Sequence, residues 1–222
     1  MASPRPRGAT RSRALLALSL LVLLCALAAG CGSSGKSSST SASTAKSAVN
    51  TSQFQSAGIL EPVRQAPPLA LKNYLGQPVN IDRYRGKAVL VTFVYTHCPD
   101  VCPLMISNLH NAQHLLGKEA SKAQIIAVSV DPKGDTPKNV AHFLALHEQT
   151  GKMQYLIGDK KELAAAWQAW GVGAEKDAGN PDLIEHSGLV YGITGSGKRL
   201  TIYAANFKPS NIAHDVPLLA AD

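Results

Sequence analysis

The chain has 222 residues, 45% of them hydrophobic, with 22 basic and 15 acidic side chains and a formal net charge of +7. That length and apolar content predict one domain of ordinary size with extensions, large enough to bury a substantial core. No basic run interleaves with aromatic residues, which argues against a nucleic-acid partner.

Residues 1–30 read as a targeting segment. Arg5, Arg7, Arg11 and Arg13 precede the apolar run ALLALSLLVLLCALAA. Its length fits a signal peptide and falls short of a comfortable spanning helix. Small residues then lead directly into Cys31, as in a bacterial lipoprotein signal, where that cysteine becomes the acylated first residue of the mature chain. An ordinary secretory signal and an uncleaved anchor are the other readings. Without these four arginines the chain carries 18 basic and 15 acidic side chains, so much of the positive balance belongs to targeting. Residues 31–59 are rich in Ser, Thr, Ala and Gly and predict a flexible tether. Signal, lipid and tether place the remaining domain, residues 60–222, at the outer face of the cell membrane, where disulfides are permitted.

Within that domain, LKNYLGQPVNIDRY (residues 71–84) predicts an early hairpin. AVLVTFVYT (88–96) is continuously apolar, β-branched and aromatic, as in a central strand covered on both faces. It runs into His97-Cys98-Pro99-Asp100. CPLMISNLHNAQHLLG (102–117) has helical spacing with Gly117 as its stop. QIIAVSVD (124–131) is a second strand. TPKNVAHFLALHEQTG (136–151) is a helix opened by a capping Thr and a Pro at its first position. MQYLIG (153–158) is a short strand, and KELAAAWQAWGV (161–172) a helix. HSGLVYGIT and RLTIYAA form a hairpin across GSGK. SNIAHDVPLLAAD closes the chain as a helix or turn. The order predicts an α/β fold with a mixed central sheet flanked by helices. Thiols at a strand-to-helix junction make it thioredoxin-like, with the early hairpin as an N-terminal extension.

With Cys25 in the signal and Cys31 acylated, Cys98 and Cys102 are the thiols left to the fold. They could be a redox pair, a metal site or a structural disulfide. A three-residue loop gives little as a staple, and inert core thiols fit poorly at a Pro-flanked junction. Unpaired N–H groups at a helix start stabilise thiolates, and soft thiolates suit Cu(I) or Zn(II). If the helix begins near Cys98, the i, i+4 spacing sets both sulfurs on one face.

A two-sulfur site wants a third ligand, and there are seven histidines. His97 adjoins Cys98, but alternation along a strand turns it the other way. His110 and His114 make an HxxxH pair with Asn111 where a zinc protease needs Glu, and read as a solvated or partly buried face. His142 and His147 lack a carboxylate pattern, and His214 sits in the tail. His186 lies where a loop turns into a strand beside the thiol strand; on residues alone a structural histidine is the ordinary reading. GITGSGK fits a phosphate-loop pattern only until Arg199, which stands in place of Ser or Thr and opens a strand. It predicts a hairpin turn and no nucleotide site.

TFVYTHCPDVCPLM, SVDPKGDTPKNV and IEHSGLVYGI, in that order and at compatible distances, resemble the SCO/SenC family of copper-handling proteins of thioredoxin fold. The resemblance runs from about Leu71 to the C-terminus. It implies that Cys98, Cys102 and His186 hold copper, as Cu(I) and, with an added oxygen ligand, as Cu(II). It brings Asp131 near the site as a supporting residue, and gives Asp100, inside the thiol loop, a part in tuning thiolate charge or partner docking. The implied function is a membrane-tethered metallochaperone for the binuclear copper centre of cytochrome c oxidase, with that enzyme's copper-site subunit as partner and no turnover of a small substrate. The alternative is a thiol–disulfide oxidoreductase acting on a copper-site partner, with Cys98 and Cys102 as its redox pair; a peroxidase is a weaker third reading.

Overall fold

The computed structural model describes residues 51–176, 178–179 and 183–222. The expected signal, the acylation at Cys31 and most of the expected tether lie outside them. In chain order the described elements are β1 (Gly58–Gln65), β2 (Ala70–Asn73), β3 (Pro78–Asn80), β4 (Ala88–Val94), α1 (Val101–Leu116), β5 (Ala123–Ser129), α2 (Pro137–Leu146), β6 (Met153–Ile157), α3 (Lys160–Trp170), β7 (Ala174–Lys176), β8 (Ile184–His186), β9 (Leu189–Ile193), β10 (Lys198–Ala204) and α4 (Pro209–Ala221).

Eight strands form one sheet in the order β1-β10-β9-β4-β5-β6-β2-β3, and β7 pairs with β8 as a separate ribbon. β4, β5 and β6 run parallel, and the other pairings are antiparallel. All seven residues of β4 are buried, as its unbroken apolar run requires of a strand covered on both faces. α1 packs against α4, which also reaches β4. Phe93 of β4 meets Trp170 of α3, with ring centroids 5.9 Å apart. The mixed sheet with flanking helices is the architecture the sequence predicts.

The early hairpin is present as β2–β3 and extends the sheet beyond β6 through Lys72↔Ile157. Asn73 holds its turn, accepting from the backbone N–H groups of Leu75 and Gln77. The late hairpin β9–β10 turns through residues 194–197, so the phosphate-loop lookalike is a strand connection.

One boundary differs. The tether was expected through residue 59, but Thr51–Gln53 form a 3-10 turn, Phe54 packs on the core, and β1 pairs with β10 from Gly58 onward. A buried carboxylate fixes this approach: Asp215 of α4, fully buried, accepts from the Gln55 backbone N–H at 2.9 Å and from the Tyr203 hydroxyl at 2.8 Å. β1 escapes a periodicity search because its register shifts between Ile59 and Arg64, around Pro62. Proline is tolerated in such an irregular edge strand because no ladder hydrogen bond is demanded of it there.

Candidate metal centre

The thiols sit where β4 hands over to α1. After Val94 the chain turns back on itself, with the Cys98 N–H donating to the Tyr95 carbonyl at 3.3 Å. α1 begins only at Val101, so Cys102 is its second residue and Cys98 precedes it. The expectation that helical i, i+4 spacing aligns the two sulfurs therefore fails; the reverse turn through Pro99 and Asp100 brings them together. Both cysteines are buried and neither is in a disulfide.

His186 arrives on the other side, at the end of β8. Its Nε2 lies 3.6 Å from Cys102 Sγ, and the donor atoms of Cys98, Cys102 and His186 all lie within 4.8 Å of one another. Among the described residues this is the one cluster of three or more Cys, His, Asp or Glu donors so closely gathered. The ring is oriented from two directions. Its Nδ1 donates to the Ser187 carbonyl at 3.4 Å, the arrangement that directs Nε2 toward a metal. It also meets the Tyr95 ring edge to face, with centroids 5.8 Å apart. The Tyr95 hydroxyl in turn accepts from the Ile184 N–H, mooring β8 to the end of β4. Gly188 lets the chain pass close to the start of α1: a β-carbon there would lie 3.2 Å from Ala205 and 3.6 Å from Val101.

The two thiols are electrostatically unequal. The Cys102 thiol donates to Cys98 and holds its sulfur ionised, well below the ordinary thiol range, against the cost of burial; the His186 ring and the backbone N–H groups of Asp100 and Cys102 add to this. Cys102 is pushed up, first by that same hydrogen bond and then by burial and the charge on Cys98. Thiolate character is what both metal ligation and thiol exchange require. A cleft of about 600 Å³ opens beside the pair, lined by Tyr95, Cys98, Pro99, Val101, Ile184 and His186 among others.

Asp100 stands at the start of α1 with an exposed side chain that makes no capping hydrogen bond. Its backbone N–H reaches the Cys98 sulfur. Asp131 does not meet the thiols: its carboxylate accepts from Lys133 N–H and lies against Gly134, holding the loop after β5. His97 is exposed, with Nδ1 3.1 Å from the Thr96 hydroxyl. His142 is exposed, His147 packs on Phe143, and His214 pairs with Asp215.

The acid that does support the site is Asp135, which sequence reasoning missed. Only 4% exposed, it accepts from the Thr96 N–H and hydroxyl at 2.8 Å each, the Ser129 hydroxyl at 2.6 Å and the Tyr155 hydroxyl at 2.8 Å. It thereby ties the residue two before Cys98 to the end of β5 and the middle of β6. Standing just before a Thr-Pro helix start, it reads as a turn residue. The available signal was indirect: Thr96, Ser129 and Tyr155 are polar groups in or at the ends of apolar strands, and buried hydroxyls need a common acceptor.

Comparison with known proteins agrees with this geometry. The SCO1/SenC family model matches residues 60–221. The mouse protein "SCO1 homolog, mitochondrial" is 27% identical over 154 residues, covering 67% of this chain and 54% of the mouse protein; the chain thus spans about half the length of the curated relatives it matches first. The structure of Bradyrhizobium japonicum ScoI with copper bound superposes with a TM-score of 0.63 at 29% identity, covering 70% of this chain and 99% of that one. BsSco, described as a member of the Sco family of cytochrome c oxidase assembly proteins with a disulfide switch, superposes with a TM-score of 0.61 at 25% identity, covering 72% of this chain and 95% of that one. With its strand order, its convergent thiols and imidazole and a family match over most of its length, the chain belongs to the SCO1/SenC family.

Proposed function

We propose that this protein binds copper through Cys98, Cys102 and His186 and delivers it during assembly of the copper centre of cytochrome c oxidase. The observation that carries the reading is the convergence of two sulfurs and one imidazole nitrogen in a half-open cleft. Two thiolates and an imidazole are soft donors that suit Cu(I), and an added oxygen ligand would serve Cu(II). Three protein ligands leave a position for a donor from a partner, so the ion can pass by ligand exchange. Binding would displace the thiol proton of Cys102, coupling metal uptake to proton release. The oxidase's copper-site subunit is the partner this reading requires. Acylation at Cys31, with the segment that follows it, would hold the domain at the outer face of the cell membrane.

The test is metal content of the reduced protein, comparing the parent with Cys98→Ser, Cys102→Ser and His186→Ala. One copper per chain in the parent, lost or strongly weakened in all three, is the expected result. No copper in the reduced parent, or full affinity in His186→Ala, would overturn the three-ligand site.

The unequal thiols favour a second reading, a thiol–disulfide oxidoreductase in which Cys98 attacks and Cys102 resolves. His186 separates the two. A redox pair keeps its function without an imidazole ligand, so His186→Ala would leave disulfide exchange with a partner dithiol largely intact while abolishing copper delivery.

A further inference from the structure

A second group of histidines lies further along α1. His110 and His114 occupy successive turns on one face, with ring centroids 4.5 Å apart and planes at 65°. The Glu148 carboxylate, from the loop after α2, comes within 3.9 Å of His110 Nε2. Behind them lies Gln149, fully buried, its amide nitrogen 3.2 Å from His110 Nδ1 and 3.0 Å from the Gln113 side-chain oxygen, and its own oxygen without a partner. Amide oxygen and nitrogen are interchangeable by a half-turn. With the Gln149 oxygen toward His110, and Gln113 turned to match, Nδ1 donates to it and Nε2 carries its lone pair toward Glu148. That is how ligating histidines are held.

The backbone at Glu148 is the second pointer. α2 ends in a Schellman motif, with Gln149 N–H on the Leu144 carbonyl at 2.7 Å and Glu148 N–H on the Ala145 carbonyl at 3.2 Å. The left-handed position of that motif is ordinarily Gly. Here it is Glu148, at φ 53°, the one non-glycine with positive φ among the described residues. A sterically disfavoured residue thus stands where its carboxylate approaches His110, itself in ring contact with His114.

We propose that His110, His114 and Glu148 form a second metal site, for a divalent first-row cation that favours imidazole, Cu(II) ahead of Zn(II). Two imidazoles and a carboxylate are harder donors than the thiolate centre, and His114 and Glu148 are exposed to solvent, so an ion enters from the surface. The site stands apart from the thiols: His110 follows Cys102 by eight residues on the same helix, about 12 Å along its axis.

The experiment uses the full-length chain carrying Cys98→Ser, Cys102→Ser and His186→Ala, which silences the first centre, titrated with Cu(II) and read by calorimetry and electron paramagnetic resonance. One Cu(II) per chain with coupling to two imidazole nitrogens is expected. Adding His114→Ala should weaken binding at least about tenfold and remove one nitrogen coupling. Adding Glu148→Gly should weaken binding several-fold while raising the melting temperature, because Gly relieves the left-handed backbone; lost affinity then cannot be laid to a damaged fold. His142→Ala, an exposed histidine on α2, should change nothing. No Cu(II) bound by the triple variant, or binding indifferent to His114→Ala, overturns the site.

Discussion

Asp135 is where the support beneath the thiols can be cut without touching a donor atom. In Asp135→Asn one carboxylate oxygen becomes an NH₂ group. The remaining oxygen can still receive Thr96, but the other side now presents donors to the hydroxyls of Ser129 and Tyr155, both fully buried. Leaving a buried donor unsatisfied costs about 1–3 kcal/mol; the Tyr155 hydroxyl keeps a long bond to the Val94 carbonyl at 3.4 Å, so for the two hydroxyls together we expect a loss of about 2–4 kcal/mol. That is a large share of the ~5–15 kcal/mol that holds a typical domain. The loss should also depend on pH. Burial raises the Asp135 carboxyl above its ordinary 3.8, opposed by its hydrogen bonds. The native state therefore keeps a proton that the unfolded chain gives up, and wild-type stability falls as pH rises from 3.8 through the raised native value. The Asn variant lacks this titration, so its deficit should be widest below about pH 4 and narrow above. Urea unfolding of the reduced, metal-free proteins at pH 4 and pH 7 measures both quantities. Equal midpoints, or a deficit that widens with pH, would refute the assignment of Asp135 as the buried acceptor shared by the Ser129 and Tyr155 hydroxyls.

Two further outcomes are expected. Because Cys98 is held as thiolate well below the ordinary thiol range, its alkylation by iodoacetamide in the reduced, metal-free protein should be nearly flat between pH 6 and 8, with the adduct on Cys98 by mass spectrometry. A rate rising about tenfold per pH unit, as for an ordinary thiol, would contradict the hydrogen-bonded pair. Asp215→Ala removes the acceptor for Gln55 N–H and the Tyr203 hydroxyl; a cost of about 2–4 kcal/mol and new protease cleavage within residues 51–57 should follow, and an unchanged digestion pattern would deny the clamp its role.

What the chain discloses as sequence is what physical chemistry makes local. The apolar run of β4, the Thr-Pro opening of α2 and the Gly-rich turn between β9 and β10 each carry a signature within a few residues, and each appears as expected. Cys98 and Cys102 declare themselves by type and position, but their alignment does not. It depends on where α1 begins, and a reverse turn with Asp100 at φ −125°, ψ −98° follows from no periodicity. His186 is 84 residues from Cys102, so its place in the centre came from resemblance rather than from any pattern of its own. Asp131 and Asp135 share one short segment, and only the strands that converge on Asp135 decide which carboxyl is buried. β1 remained hidden because an irregular edge strand carrying Pro62 has neither alternation nor an apolar run.

The ribbon of β7 and β8 gives the imidazole a support of its own, apart from the one that carries the sulfurs. Both sulfurs are fixed to the main body, at the seam of β4 and α1, whereas the imidazole rides on a separately hydrogen-bonded pair of short strands. For a bound ion all three donors would contribute to grip, and the imidazole is the one whose hold depends on how firmly that ribbon is moored. Replacing Tyr95 by Phe, which removes the acceptor for the Ile184 N–H, would then weaken capture and quicken release together while leaving every donor atom in place.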